Sequence, residues 1–166
     1  MSEKAIQEKA DSKLTEDEMR DNAIQLAFGG DRGRFEEFCR VLAENIPENT
    51  AAVLGGSSIT GHCYGDGSPF DAKGPGTSDI DITLVGPEAI ELFTLEGFWL
   101  PGIHSHPVRD GDEEIAPALK PLRHKLQEIA GGRQVTIQAS RDFYYWIRER
   151  WLGQPYLTLV GRVKQQ

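Results

Sequence analysis

The run Ser78-Asp79-Ile80-Asp81-Ile82-Thr83-Leu84-Val85 sets a constraint that few arrangements of a chain can meet. Apolar and polar residues alternate, so the run reads as a β-strand whose successive side chains point to opposite faces. Ile80, Ile82 and Leu84 share one face and need a core. Asp79 and Asp81 share the other. Two carboxylates a few ångströms apart are costly unless a cation or a proton lies between them. A divalent ion with oxygen ligands is the natural guest. Upstream, Ala51-Ala52-Val53-Leu54 reads as a short buried strand that runs into Gly55-Gly56-Ser57-Ser58. Glycines let backbone N–H groups approach an anion closely, and a following helical turn would aim its amides at a phosphate. A polyphosphate carrying a divalent ion joins the two halves: the turn holds phosphates, and the carboxylates hold the metal that bridges them.

The chain has 166 residues, enough for one domain with one core. No apolar run approaches the length of a membrane span. Residues 1–17 are polar and mixed in charge, unlike a secretory signal or a transit peptide. Cys39 and Cys63 give neither a disulfide framework nor paired metal-ligand spacing. Together these features lead us to expect a reduced, cytoplasmic protein with unpaired thiols. The net charge of −8 is unevenly spread. Residues 1–114 carry a net of −14 and residues 115–166 a net of +6. That asymmetry reads either as a surface for polyanions or as two complementary faces of one domain. The acidic total argues against a sequence-specific binder of duplex DNA.

Local patterns predict the elements. Residues 1–14 read as a tail, followed by one domain over 15–166. Thr15 to Glu18 forms a capping box, with Leu14 and Met19 as a hydrophobic staple, so a helix is expected over 16–28, ending at Gly29-Gly30. Phe35, Phe38, Cys39, Leu42 and Ile46 recur at helical spacing and predict a helix over 33–46, closed by Pro47. Strands are expected at 51–55, 78–85, 134–139 and 156–160, with a possible short strand at 98–100 in an otherwise irregular 96–112. Residues 61–77, rich in Gly and Pro, read as a long loop. Short or regular helices are expected from Pro87 to Leu95, from 121 to Gly131, and over 141–151, where Phe143, Trp146 and Ile147 form the buried side. The order predicts an α/β (α+β) domain: a small mixed β-sheet with helices packed on one face.

Gly-Gly-Ser-Ser followed by Ser-Asp-Ile-Asp-Ile resembles the signature of the DNA polymerase β-like nucleotidyltransferase superfamily. The resemblance covers about residues 33–140. It implies a nucleotidyltransferase-like fold and transfer of a nucleoside monophosphate from an NTP, ATP above all, to an acceptor hydroxyl or phosphate, with release of pyrophosphate. It implies Mg²⁺ or Mn²⁺ as cofactor, held by Asp79 and Asp81 as catalytic, metal-binding residues. Gly55, Gly56, Ser57, Ser58 and Ser78 fall to substrate binding. The acceptor, whether protein, RNA or small molecule, would be selected by a second copy of the chain or a separate helical partner, since little chain follows the third strand. The chain departs from the family pattern twice. The spacer between Ser57 and Asp79 is longer. The third strand carries Thr136 and Gln138 where the family has another acid, with Asp142 or Asp110, Asp112, Glu113 or Glu114 as candidate substitutes. That departure gives an alternative function: a catalytically impaired nucleotide-binding or interaction module.

Other residues carry weaker signals. His104-Ser105-His106-Pro107 shares His-x-His-Pro with JAMM-type zinc isopeptidases but lacks their downstream serine, and two histidines leave a zinc site short of ligands. Loop histidines at a polar surface, or contacts to substrate, are the other readings. Arg133, Arg141, Arg148 and Arg150 could meet phosphates or simply be solvated, and Phe143, Tyr144, Tyr145, Trp146 and Trp151 could stack a base but at helical spacing read as core.

Overall fold

A computed structural model describes residues 2–11 and 13–161. Residues 1, 12 and 162–166, which fall in the expected tail and at the end of the expected domain, lie outside the described residues. In chain order the elements are α1 (Glu3–Asp11), α2 (Glu16–Ala27), α3 (Arg32–Glu44), β1 (Ala51–Gly55), α4 (Ser57–Thr60), β2 (Ile80–Val85) and α5 (Pro87–Ile90). There follow β3 (Phe98–Leu100), β4 (His104–Ser105), α6 (Lys120–Ile129), β5 (Val135–Ser140), α7 (Phe143–Tyr145), a π-helical turn (Trp146–Arg150) and β6 (Leu157–Val160).

The strands form one mixed sheet in the order β3-β4-β5-β2-β1-β6. Its centre is the parallel pair β2–β5, and its other pairs are antiparallel. A parallel pair requires a long crossover, and here the crossover contains α5, β3, β4 and α6. The small α/β fold expected from the sequence is therefore what the chain adopts.

The local signals operate as read. Thr15 Oγ1 accepts from the Glu18 amide at 3.1 Å while Glu18 Oε1 accepts from the Thr15 amide at 3.3 Å, which completes the capping box. Asp31 caps α3 by accepting from the Arg34 amide. Met19, Ile24, Phe28, Phe35, Phe38 and Leu42 from α2, α3 and the turn between them pack with Leu122 and Leu126 of α6 against Ile80, Ile82 and Leu84. Burying such side chains contributes roughly 1.5–3 kcal/mol each before entropy is counted.

Three features depart from the expectations. Residues 3–11, read as tail, form α1, whose Asp11 is buried and shares a 2.8 Å hydrogen bond with His62 Nε2. No apolar stripe marks this helix, because a polar contact 51 residues away in sequence holds it. The second strand begins at Ile80 rather than Ser78, which leaves Asp79 one residue ahead of it. Helices are not confined to one face: Ala51, Val53, Val85 and Trp146 form a second cluster, with Phe143, Trp151 and Tyr156 packed around it. This cluster explains why all five residues of β1 are buried.

The long loop is pinned near its C-terminal end. Arg133 donates to both carboxylate oxygens of Asp71, at 2.7 and 3.0 Å, and to the Ser78 carbonyl at 2.8 Å, and it stacks on Phe70. Asp71 also accepts from the Ser78 and Gly76 amides. These bonds, the Arg133 guanidinium first, hold the Asp71 carboxyl well below the usual carboxylate range. Other ion pairs also join the acidic and basic parts of the chain: Arg123 with Asp110, and Lys120 with Glu113. Lys120, Arg123 and Arg133 thus tie the basic part of the chain to the acidic part. No helix among the described residues is long and apolar enough to cross a membrane. Cys39 and Cys63 are free thiols, and burial pushes Cys39 up to about 11.

Arg133→Ala should lower stability by about 2 kcal/mol, less than a fully buried pair would lose, because both partners keep some exposure. Denaturant titration measures this. Hydrogen exchange should show lost protection at Gly76 and Ser78 while α2 and α3 are unchanged.

Candidate functional site

The antiparallel register of β1 and β2 pairs Gly55 with Asp81. Position 56, immediately beyond, has φ +83°, a conformation that side chains rarely adopt, and a Cβ placed there would lie 2.7 Å from Asp81 Oδ2. Glycine is required at 56 on both counts. The Asp81 carboxylate therefore lies directly against the glycine–serine turn. At Gly55 an added Cβ would collide with the indole of Trp151, so that ring covers the strand end next to the turn. Trp151 stacks on buried Trp146 at 5.4 Å and 19°, and its Nε1 donates to the Pro155 carbonyl.

Each aspartate has one oxygen held by a neutral donor. Thr136 Oγ1 donates to Asp81 Oδ1 at 2.7 Å across the parallel β2–β5 pair, where Asp81 and Thr136 are register partners. Gln134 Nε2 donates to Asp79 Oδ1 at 3.2 Å. Burial pushes Asp81 up to about 6; the Thr136 hydrogen bond opposes the rise, the Asp79 charge adds to it, and the Arg109 charge offsets part of it. The pair thus forms a half-buried, negatively charged site with two oxygens, Asp81 Oδ2 and Asp79 Oδ2, left without a hydrogen bond among the described residues. Hard oxygen donors in such a setting fit a divalent cation such as Mg²⁺ or Mn²⁺.

The remaining sequence candidates separate. Ser57 is half-buried at the start of the turn, and its carbonyl accepts from Gly61. Ser58 is fully buried, so its hydroxyl does not line the surface of the turn. Ser78 accepts from the Asp71 amide through its hydroxyl and serves the loop pin. Of the proposed substitutes for a third acid, Asp142 caps α7 and pairs with Arg141, Asp110 and Glu113 bind Arg123, Asp112 accepts from the Arg109 amide, and Glu114 is exposed. The position beside Asp81 is held by neutral Thr136.

The arginines do not form one patch. Arg133 is bound to Asp71, Arg141 to Asp142, Arg148 to the Tyr144 hydroxyl, and Arg150 lies over Trp99. Arg109, which sequence reasoning missed, is exposed, and its charge reaches Asp81 and lowers that carboxyl. Val108 forms an antiparallel bridge with Ile137 of β5, and Arg109 follows directly after it in the chain. One apolar residue within an irregular stretch is too slight a pattern to reveal it.

His104 is buried on β4, opposite Ser140, and His106 meets the edge of Trp99. Burial, then the charge of Arg150, lowers His104 to about 4. A buried neutral imidazole against Tyr145 is a packing residue and not a surface loop histidine.

Comparison with protein-family models, curated proteins and solved structures gives no match.

Raising Asp81 from the ordinary value of about 4 means that the fold tolerates the protonated form better than the charged one. Its contribution is fully favourable below pH 4 and is lost as pH rises through 6. Asp81→Asn should therefore stabilise the metal-free protein by about 1–3 kcal/mol at pH 7.5, with the gain vanishing near pH 4. Urea midpoints across that range, in chelator, provide the check.

Proposed function

We propose that the chain binds a metal–NTP complex and transfers its nucleoside monophosphate to an acceptor hydroxyl. The observation that carries this reading is the contact between the Gly56 turn and the Asp81 carboxylate, with Asp79 beside it. Gly56 and Ser57 would receive the terminal phosphates, and Asp79 and Asp81 would hold Mg²⁺ or Mn²⁺. Bound there, the ion would neutralise charge on the phosphates. Arg109, whose charge reaches Asp81, would add positive charge near the site. Trp151 covers the strand end next to the turn.

In the transfer the acceptor oxygen forms a bond to the α-phosphorus. The bond from that phosphorus to the oxygen bridging to the β-phosphate breaks, and pyrophosphate leaves with the electron pair. The acceptor proton passes to solvent, because Thr136, which lies where the family resemblance calls for an acid, cannot take it.

The same threonine supports a second reading, a nucleotide-binding module without transfer. With Thr136 hydrogen-bonded to Asp81, the chain holds two carboxylates where two metals would need three.

The readings part in one assay. The protein is incubated with α-labelled NTPs, Mn²⁺ and a cell extract, alongside Asp79→Ala/Asp81→Ala. Label transfer that the double variant loses by 10²-fold or more supports the enzyme. Calorimetric NTP binding without transfer supports the module. No binding at all refutes both. Under the enzyme reading, Thr136→Asp should raise transfer and lower metal-free stability by placing a third negative charge beside Asp81; single-turnover rates and thermal melts report the two effects.

A further inference from the structure

The strand registers lay out a row across the site face of the sheet. Gly55 pairs with Asp81, and Asp81 pairs with Thr136. Val108 bridges Ile137 in the antiparallel sense, so the chain runs on from 108 towards position 136. The Asp110 amide, which donates to Gln134 Oε1, continues that course. Val108 and Ile137 are both buried in the main core. Successive residues of an extended chain point to opposite faces, so Arg109 belongs to the face of Thr136 and Asp81. The row therefore reads glycine turn, carboxylate, hydroxyl, guanidinium. Resting on the nucleotide reading above, we infer that Arg109 holds the α-phosphate of the NTP and supplies the positive charge that a second metal, bound by a third acid, would otherwise supply there.

The backbone at this position is fixed. The Arg109 amide donates to Asp112 Oδ1 at 2.7 Å, and the Asp110 amide is held by Gln134 at 3.0 Å. The side chain is exposed, and among the described residues no hydrogen bond or ion pair engages its guanidinium. Arg123, Arg133 and Arg141 are each bound to a carboxylate instead. The charge of Arg109 nevertheless reaches Asp81. Neighbouring strands lie about 4.8 Å apart, so roughly 10 Å separates the backbone at 109 from that at Asp81, a gap that an extended arginine and a phosphate fill together. Terminal phosphates seated at Gly56 and Ser57 carry the polyphosphate across Asp81 and leave its α-phosphate on the Thr136 side, towards Arg109. During transfer the acceptor oxygen bonds to the α-phosphorus, and the bond to the bridging oxygen breaks. Pyrophosphate takes the electron pair and the acceptor proton goes to solvent, while the guanidinium meets the non-bridging oxygens and keeps its own protons. A cation at 109 also repels a second metal beside neutral Thr136, so the arginine replaces that ion and does not assist it.

The test compares two Mn²⁺ complexes by calorimetry on the full protein: α,β-methylene-ATP, which cannot undergo transfer, and inorganic pyrophosphate, which fills the terminal positions alone. Arg109→Gln should weaken the methylene analogue about tenfold or more and leave pyrophosphate unchanged, with Arg109→Lys between the two. Spin counting of bound Mn²⁺ by electron paramagnetic resonance should find one ion per bound analogue in the wild-type protein. Position 109 is exposed, so the fold is not at stake. Unchanged affinity for the analogue in Arg109→Gln, equal weakening of both probes, or two bound ions overturns the assignment while the nucleotide reading stands. A wild-type protein that binds neither complex overturns the nucleotide reading, and the role of Arg109 with it.

Discussion

Backbone pairing between β1 and β2 holds Gly55 opposite Asp81, and the candidate site is a consequence of that register. A slip by one residue would turn Asp81 into the core and Ile82 out of it. The register is fixed from both sides. Ile80, Ile82 and Leu84 are anchored beneath α2, α3 and α6, while Val53 and Val85 are covered by Trp146 on the other face. Burial of apolar side chains on two faces thus fixes the position of a carboxylate that burial itself disfavours. Its ionisation is the cost of placing it against the turn.

Charge is organised by the same logic. The basic C-terminal part supplies Arg123 and Arg133 to the acidic N-terminal part, where both hold loops. Arg109 is exposed, and its charge lowers the Asp81 carboxyl. Burial also acts on His104, with the opposite sign in pH: its contribution is present above pH 6.5 and lost as pH falls towards 4, over the interval in which protonation of Asp81 is favourable. The two opposed titrations flatten the acid side of the stability profile.

Much of the scaffold was legible in local pattern. The capping box, the apolar spacing in α2 and α3, the alternation in β2 and the glycines of the turn are short-range signals, and each element formed close to where it was expected. The juxtaposition of turn and aspartates was also legible, because a strand ending in Gly-Gly-Ser and one carrying Asp-x-Asp need only pair. What escaped depends on partners distant in sequence. Helix α1 needs His62, Arg109 needs the Val108–Ile137 bridge, and the second layer needs Trp146 to meet β1 and β2. The neutrality of Thr136 was visible, but its hydrogen bond to Asp81 required the parallel register.

Gln134 links two parts of the molecule that a designer would treat separately. Its Oε1 accepts from the Asp110 amide at 3.0 Å while its Nε2 donates to Asp79, and Asp110 in turn binds Arg123 of α6. The hairpin-like stretch around 109–113 is thus wired to an aspartate of the site and to a helix behind the sheet. Transplanting that stretch onto another scaffold, or exchanging it for a sequence of different length, would misplace Asp79 along with it, whereas the exposed pair Ala72-Lys73, ahead of the Asp71–Gly76 bond, offers a junction for insertions that leaves the aspartates where they are.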